Sequence, residues 1–254
     1  MEAGFNPFSL DGKTVLVTGA SSGIGQATAV LCSRMGAQVI ITGRNEDRLL
    51  QTMGSLYGEG HIQISADLTD EASLANLVEG LPQLDGIVHC AGIGHRKLCK
   101  AIDAKDVAAV MNANFTAAVL LQTSLINKKK IRKGASIIFI SSRAAETPAI
   151  ANALYSASKG ALQSYAKCLS LELAPRDIRV NCILPAIVWS PLWESLLKDS
   201  GLTEEGINAS LANYPLRRFG QPEDVANLTA FLLSDASSWM TGSCVDITGG
   251  SILL

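Results

Sequence analysis

The sequence predicts an α/β fold, a doubly wound parallel sheet of about seven strands with helices on both faces. Three observations predict it. Short, nearly continuous apolar runs alternate with segments of helical periodicity along the chain, the pattern of strands buried on both faces and joined by crossover helices. A glycine-rich turn sits between the first such run and the first helical segment. No Gly/Ser/Pro-rich linker and no internal repeat divides the 254 residues, which suit a single domain over 1–254.

The elements follow in order. Segment 13–18 (KTVLVT) is a β-branched run, and 23–35 carries Ile24, Ala27, Leu31 and Met35 at helical spacing. Segment 38–42 (QVIIT) reads as a second strand, and 62–66, 86–89, 136–140 and 179–184 read alike. Helices are expected over 46–56, 71–79, 104–126 and 153–173. Right-handed crossovers between such units give the doubly wound arrangement. The stretch 186–214 breaks the rhythm, with a proline, Trp189 and Trp193 in a mixed helical pattern. It follows a strand, where folds of this kind carry their ligand loops.

Composition narrows the function. Apolar residues make up 48% and charged residues 17%, which excludes a disordered chain. A net charge of -2 gives no basic field for nucleic acid. Cys32, Cys90, Cys99, Cys168, Cys182 and Cys244 form no CxxC pair and no metal-ligand spacing with His61, His89 or His95. Free thiols in a reducing cytoplasm are the expectation. Residues 1–12 lack a signal-peptide pattern, and no uninterrupted apolar run reaches membrane-spanning length.

The turn Thr18-Gly19-Ala20-Ser21-Ser22-Gly23-Ile24-Gly25 opens the first helix. Glycine permits the tight turn and lets backbone N–H groups approach an anion, and the helix N-terminus adds its dipole. A nucleotide diphosphate suits that environment. Its G-x3-G-x-G spacing differs from the common G-x-G-x-x-G. The second strand ends at Gly43-Arg44, where NAD-binding proteins usually place a carboxylate on the ribose hydroxyls. Glycine removes that carboxylate, and a guanidinium favours a 2′-phosphate. NADP(H) is therefore expected over NAD(H).

Tyr155 and Lys159 lie four apart at the start of a helical segment, on one face of it. A free phenol has a pKa of about 10, and a nearby ammonium would lower it. Such a phenol can protonate a developing alkoxide or accept a proton from an alcohol. Ser142 ends the strand over 136–140, on the edge of the sheet that faces the crevice, where a hydroxyl can bond a carbonyl oxygen. Asn114, inside the helical segment 104–126, is by itself an ordinary helix residue.

In combination these features are similar to the short-chain dehydrogenase/reductase family, in its branch of about this length, whose fold is of the Rossmann type. Gly19, Gly23 and Gly25 match its T-G-x3-G-x-G, and Asp67 with Leu68 its adenine-side aspartate. His89-Cys90-Ala91-Gly92 stands where the family has N-N-A-G. Asn114, Ser142, Tyr155 and Lys159 fall on its catalytic tetrad. Asn181 and Pro185 match the segment after the sixth strand, and 246–250 resembles the terminal D-G-G. The resemblance implies hydride transfer from NADPH, with Ser142 orienting the carbonyl and Tyr155 protonating it. Lys159 would lower the Tyr155 pKa and bond the nicotinamide ribose, and Asn114 would support a water relaying protons to Lys159. Ser21, Ser22, Ile24, Ala91, Gly92, Ile187 and Ser190 would complete the cofactor contacts. It also implies a homotetramer or homodimer through the helices over 104–126 and 153–173.

The resemblance further implies a small carbonyl or alcohol compound as substrate, and no residue names it. Trp189, Leu192, Trp193 and Leu196 would form an apolar lid, or else ordinary packing or an oligomer contact. Arg143 would meet an anionic substrate or make a structural ion pair. The run Asn127-Lys128-Lys129-Lys130-Ile131-Arg132-Lys133 is either a solvated loop or, with Arg176, a dock for an acidic partner such as acyl carrier protein. That dock would suit a 3-oxoacyl-thioester reductase, as many similar family members are. The alternative to an enzyme is a nucleotide-binding regulator without chemistry, which has no need of all four tetrad residues.

Overall fold

A computed structural model describes residues 6–200 and 204–251. Seven parallel strands form one sheet: β1 (Thr14–Thr18), β2 (Gln38–Gly43), β3 (Ile62–Ser65), β4 (Leu84–His89), β5 (Ile131–Ile140), β6 (Arg179–Pro185) and β7 (Cys244–Ile247). Their order is β3-β2-β1-β4-β5-β6-β7. The chain thus runs outward from β1 to one edge, then returns to β4 on its other side. Strand direction never reverses, so every strand brings its carboxyl end to the same edge. The switch between β1 and β4 opens the crevice there.

The helices are α1 (Gly23–Arg34), α2 (Glu46–Met53), α3 (Glu71–Gly80), α4 (Ala104–Met111), α5 (Ala117–Asn127), α6 (Ala153–Leu173), α7 (Pro191–Ser200), α8 (Glu204–Leu211) and α9 (Pro222–Leu233). Side chains alternate across the sheet and sort into two cores. Leu16, Ile40, Ile87, Ile137 and Phe139 pack with Leu77 of α3, Leu121 and Leu125 of α5, and Leu162 of α6. Val15, Val17, Val39, Ile41, Val88, Ile138 and Ile183 pack with Ala29 of α1 and Val225 and Leu233 of α9. Fully burying one such side chain contributes roughly 1.5–3 kcal/mol.

The structure revises three elements. The helix expected over 104–126 is interrupted by a π-helical turn, Asn112–Thr116, between α4 and α5. Strand β5 begins well before the expected residue 136. Its register jumps from Leu84 opposite Ile131 to Gly86 opposite Ser136, so the charged residues between bulge outward, with Gly134 at a φ of 78°. Charge hid this half of the strand from a reading by hydrophobicity. The stretch 186–214 contains two helices, α7 and α8. The span Ala104–Asn127 is long and apolar enough to cross a bilayer by length and composition. It lies instead against the sheet, with Asn114 and Gln122 buried alongside Leu121 and Leu125.

Candidate active site

The glycine turn links β1 to α1 at the carboxyl edge. Gly19 has a φ of 65°, and a Cβ there would stand 2.8 Å from the Ala91 Cα. A Cβ on Gly25 would meet the Gly19 carbonyl oxygen. Thr18 ties the turn to the loop after β4, because its Oγ1 accepts from the backbone N–H of Cys90 (3.0 Å) and Ala91 (3.1 Å). Ser22 caps α1 without a side-chain hydrogen bond, and no acidic residue occupies the first turn. The backbone donors of that turn are left for an anion, so the cradle fits a dinucleotide diphosphate. Ile24 lines the adjoining cavity.

At the end of β2, Gly43 leaves Ser21 Oγ in ordinary contact distance of its missing side chain, at 3.5 Å from an ideal Cβ. Arg44 next to it is exposed. Asp67 follows β3, and its carboxylate accepts from Thr69 N (2.9 Å) and Thr69 Oγ1 (2.7 Å). Those bonds, aided by the Arg44 charge, hold its pKa below the usual carboxylate value. Leu68 is buried in the core.

Ser142, Tyr155 and Lys159 border one cavity of about 500 Å³. Ser142 ends the run after β5 and caps the following turn, accepting from Ala144 N at 3.1 Å. Lys159 Nζ donates to the Ile140 carbonyl at 2.8 Å and lies 5.8 Å from the Tyr155 ring centroid. Asn114 sits in the π-turn. Its Oδ1 accepts from Ile93 N at 2.7 Å, and its Nδ2 donates to Ile93 O and Ser158 Oγ, both at 3.0 Å. Ser158 Oγ in turn donates to the Tyr155 carbonyl at 2.7 Å. The π-turn thus joins the loop after β4 to the helix of Tyr155, a role typical of such turns at functional sites. Ser158 was not singled out from the sequence. Its position between Tyr155 and Lys159 was the available signal.

The electrostatics depart from one expectation. Burial raises the Tyr155 pKa above the ordinary phenol value, partly offset by a bond with Ser142. Burial also lowers the Lys159 pKa to about 8. Desolvation is the largest cause of the Tyr155 shift, and the Lys159 Nζ is held on the Ile140 carbonyl. The phenol is therefore protonated at neutral pH, the form that can donate.

The opposite wall comes from the segment after β6. Pro185, Ile187 and Ser190 line the cavity. Ile187 N donates to Tyr214 Oη at 3.2 Å, and Ser190 approaches Gly23 across the glycine turn, 3.4 Å from an ideal Cβ there. Leu192, Trp193 and Leu196 line the cavity as well. Trp189 instead stacks on Phe219, with ring centroids 6.1 Å apart. Arg143 makes ion pairs with Glu146 (2.6 Å) and Asp246 (3.2 Å).

The basic run lies elsewhere. It enters β5 at the amino edge of the sheet, the end away from Ser142. Lys130 donates to the carbonyls of Glu79 and Leu81, Arg132 pairs with Asp85, Lys133 pairs with Asp177, and Arg176 donates to the Ile131 carbonyl. Most of its charge secures neighbouring elements, and it does not border this chain's own cavity.

A family model described as enoyl-(acyl carrier protein) reductase matches residues 19–251. The chain is similar to 3-oxoacyl-[acyl-carrier-protein] reductase FabG of Rickettsia felis, 35% identical over 96% of this chain and 99% of that protein. It superimposes with a TM-score of 0.85 on 3-ketoacyl-(acyl-carrier-protein) reductase from Brucella melitensis complexed with NADH, at 29% identity, covering 96% of this chain and 100% of that one. A candidate NAD(P)-dependent gluconate 5-dehydrogenase from Beutenbergia cavernae, with NADP bound, gives 0.86 at 31% identity, over 97% and 99% of the two chains. Agreement of this extent, spanning the glycine turn, the π-turn and the helix of Tyr155, makes the chain a member of the short-chain dehydrogenase/reductase family, oxidoreductases that use a nicotinamide cofactor.

Proposed function

We propose that the protein is an NADP(H)-dependent oxidoreductase that transfers hydride between the nicotinamide and a carbonyl or secondary alcohol, with Tyr155 as acid and base. The observation that carries this reading is the convergence of Ser142, Tyr155 and Lys159 on one cavity beside the glycine cradle. NADPH, when bound, would supply the hydride; Gly19, Ser21, Ser22, Gly23, Ile24 and Gly25 would hold it, with Arg44 and Ser21 toward its 2′-phosphate. Asp67 and Leu68 border the adenine end, and Ala91, Gly92, Pro185, Ile187 and Ser190 flank the nicotinamide end. Ser142 orients the carbonyl oxygen by a hydrogen bond. Tyr155, protonated at neutral pH, gives that oxygen its proton, and the Lys159 ammonium steadies the phenolate left behind.

Asn114 is a positioning residue that holds Ile93 and Ser158. A Cβ on Gly92 would lie 3.0 Å from Asn114 Oδ1 and 3.6 Å from Lys159 Nζ. The missing side chain lets the loop after β4 approach both groups, and a water relay from Asn114 to Lys159 belongs to the same proposal.

A 3-oxoacyl thioester is the substrate that the reductase relatives favour. Exposed Val107 and Leu120 on α4 and α5, with Leu171 on α6, support a homo-oligomer through those helices. The test follows NADPH absorbance with diketones, ketosteroids, sugars and 3-oxoacyl thioesters, comparing wild type with Tyr155→Phe. Loss of the phenolic proton should lower kcat about 10²–10⁴-fold with NADPH affinity retained. Near-normal turnover in the variant would refute the assignment.

A further inference from the structure

The cavity wall carries a charge imbalance. Among its described residues are three cations, Arg96, Arg143 and Lys159, and neither aspartate nor glutamate. Two of the cations are already engaged. Lys159 is buried on the Ile140 carbonyl, and Arg143 is shared between Glu146 and Asp246. Arg96 has no hydrogen bond or ion pair with any described residue. The acids on its own loop and on α4 are taken by neighbours, since Asp106 is bound by Lys97 with His95 beside it, and Asp103 also faces Lys97.

Trp193 and Arg143 both line this cavity, and each keeps one buried donor, Nε1 and Nε respectively, without an acceptor among the described residues. Gly94 lets α7 close onto the loop of Arg96, because a Cβ there would stand 2.8 Å from Leu196 Cδ1. Trp193 and Arg96 are thereby carried on the two segments that meet at this contact. The cofactor diphosphate is already provided for at the glycine turn on the β1 side, whereas Arg96 follows β4.

We infer that the cavity selects substrates bearing an oxyanion, a carboxylate or a phosphate on a largely apolar carbonyl compound, and that Arg96 reads that charge. The inference rests on the reading of this cavity as the substrate pocket. In such a wall a guanidinium binds an oxyanion through charge-assisted hydrogen bonds and discriminates against a neutral isostere.

The experiment uses three probes sharing one 3-oxohexanoyl group: the free acid, its 4′-phosphopantetheine thioester and its neutral N-acetylcysteamine thioester. In wild type, kcat/KM for at least one charged probe should exceed that for the neutral one about tenfold or more. Arg96→Gln should bring that ratio near one, through KM rather than kcat. Whichever charged probe is favoured identifies a carboxylate or a phosphate as the source. A ratio near one in wild type, or an unchanged ratio in Arg96→Gln, overturns the inference. If no probe is turned over, NADP-loaded protein is titrated with octanoate and octanamide by tryptophan fluorescence. Preference for octanoate that Arg96→Gln abolishes upholds the inference while the reductase reading falls, and equal affinities overturn it.

Discussion

The turn after β1 and the segment after β6 face each other across one crevice and meet at Gly23 and Ser190, yet they are built differently. The turn works through what its residues lack. Gly19 and Gly25 have no room for a methyl group, and the helix donors behind them are left open. The segment after β6 works through what its side chains add: Leu192, Trp193 and Leu196 fill the wall, while Tyr214 and Phe219 pack edge to face behind it, with centroids 5.2 Å apart. A backbone cradle recognises a feature common to all its ligands, a diphosphate, and tolerates little change. A side-chain wall is shaped by packing and can be rebuilt for another substrate.

Four substitutions sharpen this contrast. Gly25→Ala should break the turn most severely. Its Cβ meets backbone rather than a flexible side chain, so overpacking should cost about 1–3 kcal/mol or more. Isothermal titration should show NADPH binding lost or weakened at least about a hundredfold, and retained affinity would refute a cradle closed to a methyl group.

His89 ends β4 and is stacked on Phe139 with centroids 4.5 Å apart. Burial pushes its pKa down to about 4, although the Gln122 bond opposes the shift. The unfolded residue titrates near 6.5. Between those values the unfolded chain binds a proton that the native chain refuses. Stability therefore falls as pH drops from about 6.5 to 4, by up to about 3 kcal/mol. His89→Asn should flatten that part of a urea-denaturation profile. An unaltered profile would mean the imidazole does not report burial.

Arg44→Gln should raise the NADPH dissociation constant about tenfold, the lower range for a charge-assisted bond at an exposed site, and leave NADH binding alone. Equal effects on both cofactors would remove the 2′-phosphate assignment. The smallest effect is expected on the opposite wall. Trp193→Phe keeps most of the bulk and deletes a buried, unpartnered N–H, so thermal unfolding should show stability unchanged or higher by about 1 kcal/mol, with NADPH affinity constant. A clear destabilisation would mean that the indole N–H is satisfied in solution.

The alternation of strands and helices, the glycine turn and the four-residue spacing of Tyr155 and Lys159 were legible because they are local. Periodicity reports which side of an element faces the core, and glycine reports where a side chain cannot fit. The first half of β5 was not legible, because its charges belong to a bulge that becomes a strand only beside Leu84. Nor was the seventh strand located, since β7 is four residues long and holds its place only by pairing with β6. Arg143 could be read either way until Glu146 and Asp246 stood beside it.

By itself, the sequence determined the fold class, the cofactor cradle and the residue types of the tetrad, all consequences of backbone geometry within one element or its adjoining turn. Only the tertiary structure decided how those residues act. Folding places Asn114 in a π-turn on Ile93, raises the Tyr155 pKa where the neighbouring lysine alone would lower it, carries the basic run to the far edge, and leaves Arg96 unpaired in the cavity wall. Desolvation and pairing depend on which distant segments exclude water or supply a partner, and only the packed chain determines that.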